Sequence, residues 1–167
     1  MENKEYYKEA AIHALAGFQL IEEGLKRYIV HYYDTVRYLL GDKLHFDYNE
    51  SDVSEAALQR LLSIFSKINS NKELIEQLRK LVKQRDEIAH KAFVELYGPT
   101  KSEAEFEKMY QKYVEVGKQL SRLLTAVNDE NFKLFSIYKS HAAKKSRKRS
   151  VDTVSQRSLD EVKRNRG

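Results

Sequence analysis

The sequence predicts an all-α fold: an up-and-down four-helix bundle, with room for a short fifth helix and a disordered basic C-terminal tail. Three observations predict it. Apolar residues recur at steps of three and four over long stretches, the signature of one buried face per helix. Six Gly and one Pro are too few for a turn-rich β fold. The 167 residues, 41% hydrophobic and 33% charged, suit a single core. The same composition narrows the function classes. With no cysteine there is no disulfide framework and no thiolate metal site. The opening MENKEYYKEA lacks the apolar core of a signal peptide, and no apolar run is long enough to span a bilayer. The expected setting is the reducing cytoplasm, away from membranes.

The first helix is expected near 4–40, where Tyr7, Ala11, Ala14, Phe18, Ile21, Leu25, Tyr28, Tyr32, Val36 and Leu39 keep the three/four spacing. Ala10, Gly17 and Gly24 recur every seven residues. Each Gly costs about 1 kcal/mol against Ala inside a helix, so close approach of a neighbouring helix must compensate. Glu22 borders the seam and is a candidate partner for a buried cation, while Glu23 reads as solvated. His13 and His31 fall in no metal-ligand pattern and read as ordinary helix residues. Gly41 ends the helix, and GDKLHFDYNESD reads as a loop whose His45, Asp42 and Asp47 match no ligand set.

A second helix is expected over 53–69, with Ser51/Asp52 as N-cap, Glu55 following, and Leu58, Leu61, Phe65 and Ile68 as its seam. Asn69-Ser70-Asn71 reads as a turn. A third helix follows over 72–97 and is stopped by Gly98-Pro99. Ser102 and Glu105 form a capping box for a fourth, 102–128, whose residues Phe106, Met109, Tyr113, Val116, Leu120, Leu123 and Val127 make the most regular seam in the chain. Asn128-Asp129 reads as a break before a shorter piece near 130–140 carrying Phe132, Phe135 and Tyr138.

Residues 1–140 thus read as one helical domain and 141–167 as a tail of different character. Nine Lys/Arg against three acids give the tail +6, which leaves −1 for the rest of a chain of net charge +5. With few large apolar residues it cannot offset its ordering entropy, so it is expected to be disordered, or to form a helix on binding. Lys144, Lys145, Arg147, Lys148 and Arg149 can contact RNA phosphates by charge alone, raising affinity without setting specificity. A solubilising tail, or a contact for an acidic partner protein, are the other readings.

Chemistry concentrates on the third helix. Its apolar stripe runs Leu74, Leu78, Leu81, Ile88/Ala89, Ala92 and Leu96, and Arg85 occupies one of the slots. Desolvating a guanidinium there costs several kcal/mol unless it is paired or meets a wet cleft (roughly 3–5 kcal/mol for an uncompensated charge). It either snorkels or pairs with a carboxylate such as Glu22, or it is held for function. His90 follows five residues later, roughly 140° round the helix and about 7.5 Å along it. Asp86, four residues before His90, faces it and can hold its tautomer and raise its pKa.

In this setting RDEIAH resembles the Arg-x(4–6)-His motif of the HEPN superfamily, and FQLIEEGLKRYI is similar to the opening helix of such domains. The resemblance covers Glu5 to Asn128 in architecture, with Arg85 and His90 as its strong motif positions. It implies a small helical bundle, commonly dimeric and often a metal-independent ribonuclease, of a kind that recurs in toxin–antitoxin and antiphage systems. Some members only bind. One toxin subgroup, paired with nucleotidyltransferase antitoxins, continues the motif as His-x-Tyr. Here Ala92 and Phe93 stand after Lys91, and neither has a hydroxyl to receive a nucleotide.

The expected function is therefore RNA cleavage by internal attack of the 2′-hydroxyl, with no cofactor and no metal. His90 would transfer the proton and Arg85 would stabilise the phosphorane, with Asp86 and Glu22 as orienting residues. Because Arg85 and His90 diverge on a regular helix, a homodimer is expected to bring two pairs across one groove. The expected partners are RNA, a second copy, and an antitoxin or defence-system protein. The alternative is a non-catalytic helical adaptor that dimerises and binds RNA or a partner protein.

Overall fold

The computed structural model describes residues 2–41, 44–97 and 102–164. Side chains are described as far as Lys144, apart from 2, 3, 86, 87, 92, 93 and 95–97. Among the described residues five helices follow in order: α1 Glu2–Leu40, α2 Ser51–Ser54, α3 Leu58–Ile68, α4 Lys72–Tyr97 and α5 Glu103–Arg164. The fold is all-α, a bundle of four long helices and one short one. No strand occurs among the described residues, and no helix among them is long and apolar enough to cross a membrane.

α1 and α5 share the largest interface. The seven-residue stripe explains why they approach so closely. A Cβ at Gly17 would lie 2.9 Å from Leu120 Cδ1, and one at Gly24 would lie 3.1 Å from Val127 Cγ1. Both glycines meet a residue at the same offset in α5, so the two helices run parallel with a constant heptad register. Tyr7 opens the seam between Phe106 and Tyr113, with ring centroids 5.9 and 5.3 Å away. Most of the expected α1 seam is buried, from Tyr7 to Tyr28. Past Tyr28 the buried residues become Ile29 and Thr35, whereas Tyr32 and Val36 are half-buried and Leu39 is exposed.

Gly41, at φ 55°, supplies the left-handed turn that ends α1. The chain then returns along α1. Tyr48 packs against Tyr33, tilted by 47° with centroids 4.8 Å apart, and donates its hydroxyl to Asp34 at 3.2 Å. Burial, and secondarily the Asp34 charge, push this phenol up to about 12. The helix expected over 53–69 is two pieces. Asn49 Oδ1, rather than Ser51 or Asp52, takes the orphan N–H at the start of α2, accepting from Ser51 N at 3.1 Å. The break at residues 55–57 has a cause in the pattern. Val53 and Ala56 are buried, and so is Leu58, only two residues on. A step of two needs extended backbone, which Ala57 provides at ψ 154°.

α3 and α4 form an antiparallel hairpin through Asn69-Ser70-Asn71. Asn71 Oδ1 caps α4 by accepting from Leu74 N at 3.1 Å. Asn69 donates to Tyr28 Oη and to Glu130 Oε2, both at 3.0 Å, and Asn71 donates to Glu130 Oε1 at 3.1 Å. α4 and α5 are also antiparallel, because Asn71 lies beside Glu130 while Ile88 lies beside Val116. The expected capping box closes at the start of α5: Ser102 N donates to Glu105 Oε2 at 2.8 Å and Glu105 N to Ser102 Oγ at 3.4 Å. The antiparallel arrangement expected of neighbours therefore holds for these two pairs, while α1 and α5 are parallel. Residues 44–57 carry the chain back down, so that α3 rises in the direction of α1.

The break expected at Asn128-Asp129 is absent, and the piece near 130–140 is part of α5. Helix continuity is held from inside: Glu130 is buried in the asparagine network, and the Asn131 amide donates to Val127 O at 3.2 Å and Gly24 O at 3.4 Å. Of the tail expected over 141–167, the backbone to Arg164 is described and continues α5 as helix, while the side chains past Lys144 and residues 165–167 lie outside the described ones.

Candidate functional site

α4 is built from a stripe of buried residues, Leu74, Leu78, Leu81 and Ile88, with Ile75 beside it. Arg85 sits four residues after Leu81 and three before Ile88, inside that stripe, and is half-buried. Its partial exposure follows from where α3 begins. Gln59, in the first turn of α3, lines a groove with Val82 and Lys83, and Arg85 lies just past that end. The apolar slot foreseen for Arg85 is thus real, and it is left partly open because the covering helix is short.

His90 is exposed. α4 is unbroken through both residues, so Arg85 and His90 of one chain point roughly 140° apart. His90 shares its line with two cations outside the Arg-x4-His motif. Arg79 stands eleven residues before it, about three full turns, and Lys83 lies between them. Arg79 and Lys83 line the α3–α4 groove, about 330 Å³, together with Gln59, Ser63 and Ser66. They form no ion pair among the described residues. The 79/83/90 spacing was a readable signal, hidden because polar helix faces are usually only solvated. On the other flank of α4 a groove of about 300 Å³ runs between Gln84, Ile88, Lys112 and Gln119.

The orienting residues fare differently. The Asp86 side chain lies outside the described residues, so its place beside His90 does too. Glu22 pairs within its own helix, with Lys26 Nζ at 3.2 Å, and Lys26 also holds Glu23 at 2.9 Å. Register explains this. The pairing of α1 with α5, and of α5 with α4, sets Glu22 level with Glu76, about 13 Å along the axis from Arg85. In the basic cluster Lys144 is exposed, while the side chains of Lys145, Arg147, Lys148 and Arg149 lie outside the described residues. Among the described residues no group of three or more His, Asp or Glu is placed to hold a metal ion.

A larger cavity, about 440 Å³, lies away from the motif between the far ends of α1 and α5. His31, an ordinary helix residue by its sequence pattern, lines it. Chemically, the α4 surface offers an imidazole, two cations on its line, and a partly open guanidinium, which together suit a polyanion. No family model, no curated protein and no solved structure matches the chain.

Proposed function

We propose that this chain is a metal-independent endoribonuclease of HEPN type, cleaving RNA at a site composed from Arg85 and His90 of two copies. The reading extends to a cytoplasmic role in a toxin–antitoxin or antiphage system, with an antitoxin or defence protein as partner. One observation carries it: Arg85 sits in a core slot yet stays half open, and His90 is exposed on the line of Arg79 and Lys83. In the reaction the 2′-oxygen attacks the adjacent phosphorus as its proton passes to one neutral imidazole. The bond to the 5′-oxygen breaks, and that oxygen takes a proton from the other copy's imidazolium. The products are a cyclic 2′,3′-phosphate and a free 5′-hydroxyl. Arg85 holds the phosphorane oxygens, and Arg79 and Lys83 hold flanking phosphates.

The test is RNA cleavage by purified protein in excess chelator. His90→Ala and Arg85→Ala should each lower the rate by about 100-fold or more while leaving the helical circular dichroism intact. Both variants cleaving like the unaltered chain would end this assignment. RNA that is bound but left whole by the unaltered chain would turn the reading to the non-catalytic adaptor.

A further inference from the structure

Beyond the level of Glu130 the bundle thins. α3 has ended and α4 starts beside Glu130, so among the described residues the far ends of α1 and α5 are covered only by each other and by the returning chain near Tyr48. The cavity of about 440 Å³ opens here. Leu134 is buried at its edge, and Tyr38, Phe135 and Tyr138 supply aromatic faces. Tyr38 and Tyr138 pack with centroids 5.0 Å apart, whereas Phe135 is 47% exposed. The Lys139 ammonium rests 4.6 Å from the Phe135 ring centroid. Asp34, the acid of this cavity, is already engaged, by Arg37 at 2.9 Å and by the Tyr48 hydroxyl.

The sequence adds an independent observation. From Asn131 to Val151 the chain carries seven Lys/Arg and no Asp or Glu. A surface of that charge selects a polyanion, and it repels a second copy brought against it with the same charge. Exposed rings beside a cavity select flat faces to stack on. A duplex hides its base faces and a single strand presents them.

We infer that this cavity takes a base of single-stranded RNA, stacked on Phe135 beside Tyr138, with the flanking phosphates on Lys139 and Lys144. The inference rests on the reading that RNA is the ligand, though not on cleavage. Leu134 lies roughly 22 Å along α5 from the level of Arg85, near Gln119. The cavity is therefore a second hold on the strand, separate from the cleavage site. On binding, the base takes the ring face now covered by the Lys139 ammonium, which moves to a phosphate.

The experiment measures fluorescence anisotropy of a labelled oligouridylate with the full chain carrying His90→Ala, so that RNA stays whole. The probes are the oligouridylate and its abasic counterpart. Phe135→Ala, added to that chain, should weaken binding of the oligouridylate roughly 5- to 150-fold. It should leave the abasic affinity and the dependence on salt unchanged. Phe135 is exposed, so the variant is expected to fold. Unchanged affinity in Phe135→Ala, or abasic RNA bound as tightly as oligouridylate, overturns the inference. So does a Phe135→Ala chain whose change is confined to self-association in sedimentation. Ring-dependent binding by a chain that does not cleave with His90 present would defeat the proposed function and leave this inference standing. Cleavage with no ring dependence would do the reverse.

Discussion

Glu130 is tied to the fold by three donors: Lys133 at 2.7 Å and the amides of Asn69 and Asn71. Burial alone would favour its neutral form. The hydrogen bonds from Lys133, Asn69 and Asn71 together outweigh it and hold the carboxyl below its ordinary 4.5. Because the folded value is the lower one, the stabilisation is complete above 4.5 and is lost as pH falls through the folded value. Glu130→Gln should lower stability at pH 7 by about 1–3 kcal/mol, since one acceptor becomes a donor facing donors. It should also flatten the acid limb of the stability curve, and urea melts at neutral pH and at pH below 4 check both. None of this network was legible in the sequence: its members lie in two helices and a turn, and a carboxylate beside an Asn-Asp pair looks like surface. Arg85 was legible, because a cation inside an apolar stripe is visible from spacing alone. The pairing of Glu22 was not, since it depends on the axial register between helices.

At the scale of elements, two glycines make opposite predictions. A Cβ at Gly17 would press on Leu120, 2.9 Å from Cδ1 and 3.2 Å from its Cβ, and Leu120 is itself buried. Gly17→Ala gains about 1 kcal/mol of helix propensity but overpacks the tightest point of the α1–α5 seam, at about 1–3 kcal/mol. A net loss of about 1 kcal/mol is expected in thermal melts. At Gly117 the added Cβ meets nothing within 4 Å, so Gly117→Ala should gain about 0.5–1 kcal/mol. Helix extents were readable in α1 and α4, where long seams end at Gly41 and at Gly98-Pro99. The broken second helix was readable only in hindsight, from the two-residue step between Ala56 and Leu58. Asn128-Asp129 misled, because long-range hydrogen bonds to Glu130 and Asn131 override the local preference of short polar residues.

For the whole molecule, divergence of Arg85 and His90 on an unbroken α4 makes the proposed chemistry a matter of assembly. The protein should sediment as a dimer at assay concentration. Mixing Arg85→Ala with His90→Ala chains should restore part of the activity if the pairs act in trans. A monomer that cleaves at the full rate would end the composite site. The all-α class was legible from periodicity and composition. The parallel sense of α1 and α5 was not, since a heptad seam reads the same in either direction, and only the largely extended return at 44–57 decides it.

That parallel pairing also sets an order of events for the chain in time. Gly17 and Leu120 are joined across 103 residues, whereas the α3–α4 and α4–α5 hairpins close through short connections. Contacts so far apart in sequence carry a large loop-closure entropy and tend to form late. The hairpins should nucleate folding, and α1 should dock last onto a surface already made. Gly17→Ala should then raise the unfolding rate and leave the folding rate nearly unchanged, which stopped-flow chevrons would read directly. During synthesis the face of α1 that meets α5 has no partner there until the middle of α5 has left the ribosome.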